Sequence, residues 1–412
     1  MKITLSKNQR DAFIISIGFL FFPSYMRSTF LPHNIAWFNF VAVIGLFLLM
    51  SHKNTCSFSI KKRWLILIYL LLTVLYAVSY MKYRADLFYA MSLYVSWIVP
   101  LFLIFMEISK DKFLAIFKTW LKVLNFMVYF ITICFIADRF LGIEFSEFFR
   151  VLYGGTDSGI SAMSANMLGN RLVSYLGHPL FTTEMVLIFY VCNYIYDKLF
   201  INRRLPIIYI LVSFFDIALV GSKAGIVIIA SIALLHNFQN KRFRYMFILA
   251  FIGALMYSIG VFDTVIQRFI QGIQSGDLTS SRSSAWVKLF ETGIYSINMW
   301  TGQWTVDSTQ TTLVAATEYP FIRWSFLIGS VFSGVLSTVL FVFPIFKLLK
   351  LKQFKILIGM IAIILDVNTF NTISTQKDAL LLYCWFVFLV LGAANFLSYE
   401  GGRHINNEKD FV

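Results

Sequence analysis

The stretch KKRWLILIYLLLTVLYAVSY (residues 61–80) decides the class of this protein. After three consecutive cations, residues 64–80 carry no charge, and an apolar or aromatic residue stands at every position except Thr73 and Ser79. A bilayer-crossing helix needs about 20 mostly apolar residues, and Lys and Arg gather at its cytoplasmic end. The whole chain has the same character. Of its 412 residues 58% are hydrophobic, 18% aromatic and only 14% charged, with a mean hydropathy of +0.74. A water-soluble globule keeps roughly a quarter of its residues charged, so that class is excluded.

Working outward from this run, apolar segments of the same kind predict spans at 12–30, 35–50, 64–80, 87–106, 120–137, 179–196, 205–220, 224–235, 243–262, 321–346, 356–372 and 379–398. The expected fold is all-α, a polytopic integral membrane protein of about 12 transmembrane helices. Five spans fall in 1–137 and four in 179–262, with a tight turn between the seventh and eighth; three more fall in 321–398, and 399–412 forms a tail. Long loops at 138–178 and 263–320 separate these groups. The opening, 1–23, has the basic start and apolar stretch of a signal peptide, but Pro23 and Arg27 stand where a small-residue cleavage site would be needed, which predicts an uncleaved first helix.

The net charge of +14 is read as membrane orientation. With the N-terminus inside, 23 of the 35 basic residues fall on the inner side against 7 acidic ones, and the rest of the chain is slightly negative. This places both termini in the cytoplasm and leaves no role for nucleic acid. The four cysteines, at 56, 134, 192 and 384, lie in an inner loop or within spans, which predicts neither a disulfide framework nor a zinc site. Inner loops are short and carry no Walker-type phosphate loop or paired-aspartate metal motif, so nucleotide use is disfavoured and neither metal nor cofactor is expected. Function is therefore sought in the two long outward loops.

In the second long loop, Val265, Ile266, Phe269, Ile270 and Ile273 recur at helical spacing between Asp263, a candidate cap, and Gly276, which predicts an amphipathic helix on the membrane surface. A second periodic run, from Ala285 to Ile297, starts after the hydroxyl-rich 279–284, where Ser281, Arg282 and Ser283 crowd a helix N-terminus. Such an end offers unpaired N–H groups and partial positive charge, and a guanidinium adds a planar fork matched to phosphate oxygens. Ordinary serine capping, with Arg282 reaching lipid headgroups, accounts for the same pattern.

Outward cations run against the usual membrane bias, so Arg171, Lys223, Arg268 and Arg323 also call for partners. Lys223 lies in GSKAG (221–225), where small residues allow close approach; a snorkelling lysine is the plain alternative. Arg268 and Arg323 flank apolar stretches as headgroup anchors do. Arg171 and His178 frame RLVSYLGHP (171–179), whose Gly177 and Pro179 predict a turn into the sixth span; His178 is either a hydrogen-bonded structural group or a base. Glu184, Asp216 and Asp366 sit inside spans, where ionisable groups are either functional or paired between helices. Among the tryptophans of the late loop, Trp300 and Trp304 are candidates for stacking on a sugar ring, because Gly302 and polar neighbours separate them from the spans.

This layout resembles the O-antigen polymerase and O-antigen ligase families, bacterial membrane glycosyltransferases that act on undecaprenyl-diphosphate-linked glycans at the outer face. The resemblance rests on the many spans, a GSKAG-like turn before the eighth, a large late outward loop, and Arg282 followed after ten residues by Gly293. The earlier loop lacks that spacing, since Thr182 stands eleven positions after Arg171. Ligases carry a functional histidine in the late loop, and this chain has histidine only at 33, 52, 178, 236 and 404, which favours the polymerase. The resemblance implies a membrane-embedded glycosyltransferase architecture of the GT-C-like class in the bacterial inner membrane. It also implies an undecaprenyl-diphosphate-linked oligosaccharide as substrate, membrane lipids as surroundings and a chain-length regulator as partner. Cleavage of the glycan–diphosphate bond puts negative charge on the leaving group, for which Arg282, Lys223 and Arg171 are candidate stabilisers, while Glu318, Asp307 or His178 is the candidate general base. A lipid-linked oligosaccharide flippase is the competing class.

Overall fold

The structure, a computed structural model, describes residues 6–32, 36, 38–51, 56–154, 171–238, 243–276, 287, 291, 300–304, 319–369, 372–375 and 378–400. Helices make up most of these residues. In chain order they are α1 (Lys7–Phe21), α2 (Ser24–Phe30), α3 (Phe40–Ser51), α4 (Lys62–Tyr83), α5 (Leu87–Phe105), α6 (Lys110–Ile136), α7 (Phe145–Gly154), α8 (Pro179–Tyr194), α9 (Ile207–Leu219), α10 (Lys223–Phe238), α11 (Phe243–Ser258), α12 (Asp263–Gln274), α13 (Pro320–Leu327), α14 (Ser330–Lys350), α15 (Phe354–Thr369), α16 (Thr372–Thr375) and α17 (Ala379–Glu400). A pair of short strands, β1 (Cys56–Phe58) and β2 (Met106–Ile108), is antiparallel with Cys56 opposite Ile108.

Among the described residues, five helices are long and apolar enough to cross a membrane: α4, α5, α6 with its extension to Leu141, α14 and α17. The first predicted span is not one helix. α1 and α2 meet at 83°, and Pro23, which has no N–H to donate and fixes its own φ, sits at the bend. The tenth predicted span is also interrupted, between α13 and α14, at Gly329, whose φ of +127° only glycine adopts readily.

The core forms around helices that are hydrophobic on all sides, as a helix with no polar stripe must be buried. α8 is buried from Pro179 to Tyr194 save for the half-buried Leu180, and α17 is almost as enclosed. Tryptophan and phenylalanine fill the space between them and α6: Trp120 meets Trp385 edge-on at 6.1 Å, Phe113 meets Phe388 at 6.4 Å, and Phe200 bridges Phe117 and Phe396 at 5.5 and 5.1 Å. α4 lies at the periphery, with Ile66, Leu70, Val74 and Met81 exposed in the manner of a lipid-facing surface. All four cysteines are free thiols.

Polar contacts between helix ends fall into two sets. In one, Glu107 accepts from Lys347 at 2.7 Å and from Asn395 at 2.9 Å beside the β1–β2 pair, and Arg203 pairs with Asp197 at 2.8 Å. In the other, Arg27 meets Asp378, Lys82 meets Thr301, Arg139 meets Gly260 and Asp263, and Arg171 reaches Val220.

Candidate functional site

Residues 171–172 and α12 meet at the turn that joins α9 to α10. α9 ends at Leu219 with Val220 as cap, and its last carbonyls lack intrahelical partners, which makes this end attractive to cations. Two guanidiniums occupy it. Arg171 Nε donates to the Val220 carbonyl at 2.8 Å, with Leu172 N–H donating to Leu219 O at 3.3 Å alongside, and Arg268 Nη1 donates to the Gly221 carbonyl. Gly221 then turns the chain at φ +65°; a Cβ there would lie 2.8 Å from Thr264 Cγ2 and 3.3 Å from Arg171 Cγ. Ser222 caps the next helix, accepting from Gly225 N–H at 3.1 Å, and Lys223 opens α10. Gly225 is equally confined, since a Cβ would stand 2.5 Å from Thr183 Cγ2 on α8.

Two guanidiniums from segments far apart in sequence thus close on one turn that is also a helix N-terminus, and Lys223 is the first residue of that helix. Asp263 faces Arg139, whose Nη2 lies 3.4 Å from Oδ2 and 3.0 Å from the Gly260 carbonyl. Asp216 is buried within α9 and accepts from Thr132 Oγ1 at 2.9 Å. The arrangement can hold an anion with more than one oxygen, because guanidinium forks and backbone N–H groups favour oxyanions.

The sequence position of Arg268 suits a headgroup anchor, whereas in the structure its guanidinium reaches the Gly221 carbonyl. The signal was present in the sequence: Arg268 shares a helix face with Val265 and Gly272, the buried residues of α12. α12 confirms the helical spacing after Asp263, but Asp263 is its first residue and pairs with Arg139, and Phe262 occupies the cap position.

His178 is the N-cap of α8, its Nδ1 accepting from Leu180 N–H at 3.2 Å. A ring whose Nδ1 lone pair is used in this way carries its proton on Nε2, so this geometry favours the structural role over the base. Gly177 before it has φ +80°, and Tyr25 of α2 packs where a Cβ would be, 2.5 Å from the ring.

The two tryptophans part company. Trp304 is 4% exposed, donates from Nε1 to Ser79 Oγ at 2.6 Å and meets Tyr76 and Tyr80 edge-on at 5.2 and 5.9 Å, so it has no face for a sugar. It docks residues 300–304 onto α4 and onto the break before α14, where Gly302 lies against Leu327 and Gly329 against the Trp300 carbonyl; Lys82 Nζ adds a bond to Thr301 Oγ1 at 3.0 Å. Trp300 is 67% exposed. Arg323, in α13, lies beside Tyr89. Glu184 and Asp366 are both buried, on α8 and α15. Ser281, Arg282, Ser283, Asp307 and Glu318 lie outside the described residues. Compared with known protein families, characterised proteins and solved structures, the chain matches none.

Proposed function

We propose that this protein is a glycosyltransferase that polymerises undecaprenyl-diphosphate-linked oligosaccharide repeat units at the outer face of a bacterial inner membrane, without metal or cofactor. The observation that carries this reading is the convergence of Arg171, Lys223 and Arg268 on the Gly221–Ser222 turn, at the helix ends that the Lys and Arg distribution makes outward. Cleavage at the sugar C1 leaves both bonding electrons on the diphosphate oxygen, and preorganised cations and N–H groups stabilise that charge as it develops. The acceptor hydroxyl of a second repeat unit attacks C1 and gives its proton to a carboxylate, for which Asp307 and Glu318 are the candidates in the late loop. Arg282 is a further candidate cation and Ser281 and Ser283 are candidate phosphate contacts from the late loop, while Trp300 offers an exposed platform for a sugar ring. Undecaprenyl diphosphate is released, and the glycan grows by one unit.

One observation favours a second reading. Broken spans often line transport sites, and two of the apolar runs are broken, at Pro23 and at Gly329. Deletion of the gene separates the two. A polymerase-null cell exports single lipid-linked repeat units and makes no long chains; retention of the units on the cytoplasmic leaflet would instead identify a flippase.

A further inference from the structure

Arg27 is 2% exposed, and three of its guanidinium nitrogens are committed. Nη1 donates to the Phe22 carbonyl across the α1–α2 bend, Nε to the Ala36 carbonyl at 2.8 Å, and Nη2 to Asp378 Oδ2 at 2.8 Å. Asp378, 13% exposed, sits at the start of α17, where Leu382 N–H donates to its carbonyl at 3.1 Å. Asn39 completes the cluster, its Nδ2 donating to Gly18 O at 3.0 Å and lying 3.4 Å from the same Asp378 oxygen. An apolar pair of the same volume would hold two helices together at least as well as a buried ion pair, so three directed bonds are best explained by a need for one fixed orientation.

What that orientation governs is visible on the other face of α2. Tyr25 packs on Gly177 and lies 6.2 Å from Tyr153, which donates to the Tyr175 carbonyl; Tyr175 in turn donates to Leu20 O at 2.6 Å. Residues 171–177 are thereby sandwiched between α2 and the end of α9, and Arg171 stands at the head of this segment, bonded to Val220.

We propose that Arg27 and Asp378 are positioning residues: they fix α2 so that Tyr25 holds the 171–177 segment, and with it Arg171, in register with the Gly221 turn. The inference deepens the polymerase reading, since it names what aligns one cation of the proposed diphosphate site. Its structural content is independent of the substrate.

The test is hydrogen exchange on the purified full chain in lipid nanodiscs. Arg27→Lys keeps the charge and loses the three-way anchor, and should speed exchange of amides in 171–177 and 219–223 by about tenfold or more. Amides near β1 and β2 at the opposite helix ends should keep their rates. Asp378→Asn, which preserves volume, should give the same local pattern if Arg27→Lys does not fold. With Tyr25→Leu already in place, adding Arg27→Lys should bring little further change. Uniform acceleration over the whole chain would reduce the pair to general stability and overturn the proposal, as would unchanged exchange in 171–177. With lipid-linked repeat units as substrate, Arg27→Lys should raise KM more than it lowers kcat. Absence of any turnover by the unaltered protein would count against the polymerase reading alone, because the exchange pattern still decides the positioning role.

Discussion

At the Gly221 turn, Arg171 and Arg268 are each anchored to a carbonyl at the end of α9, so both guanidiniums are preorganised before any ligand arrives. Loss of one such donor at a developing anion typically costs about 3 to 4 kcal/mol, so Arg171→Ala and Arg268→Ala should each cut polymer formation roughly 100- to 1,000-fold at matched membrane abundance. Lysine supplies a point donor in place of a fork, and Arg282→Lys should likewise retain only a small part of the activity, read as glycan chain length. Near-normal polymer from Arg282→Lys would remove Arg282 from the site. The tryptophans make opposite predictions. Trp304→Ala deletes a buried ring and its bond to Ser79, and should destabilise the protein by about 3 to 5 kcal/mol in thermal denaturation. Trp300→Ala should change stability by no more than about 0.5 kcal/mol while shortening the glycan.

Two glycines separate backbone strain from packing at the scale of the element. Gly142, which stops the turn after α6 at φ +67°, has open space around its missing Cβ, whereas Gly221 at φ +65° faces Thr264 and Arg171. Gly142→Ala should therefore cost only the left-handed backbone penalty of roughly 1 to 2 kcal/mol and leave activity near normal. Gly221→Ala adds a contact at 2.8 Å that forces Thr264 and Arg171 apart, and should lower chain elongation about tenfold or more beyond any loss of abundance. The elements themselves were legible in the sequence because apolarity is continuous along a buried or lipid-facing helix, and α12 because its apolar residues keep a strict helical spacing. The bend at Pro23 lay inside an apolar run, where a proline is compatible with either a kink or an end. The break at Gly329 was hidden, since a glycine in an apolar helix gives no sign that its φ is +127°. Pairings such as Arg27 with Asp378 and Arg268 with Gly221 join remote segments, and local periodicity carries no information about them.

For the molecule as a whole, the distribution of basic residues along the chain makes a prediction about sidedness. Reporters fused after Lys62, Lys112, Arg204, Arg242 and Lys352 should read cytoplasmic, and those after Asp157 and Ser280 outside. An outside reading at Arg242 would overturn the placement of the late loop, and with it the outward position of the Gly221 turn. If this turn serves glycosyl transfer from a lipid diphosphate, purified protein given lipid-linked repeat units should elongate them unaided. Without nucleotide and with divalent cations chelated, the product should be a ladder of lengthened glycans with one undecaprenyl diphosphate released per added unit, abolished by Arg171→Ala together with Arg268→Ala. Unlengthened repeat units that merely cross the bilayer would contradict it.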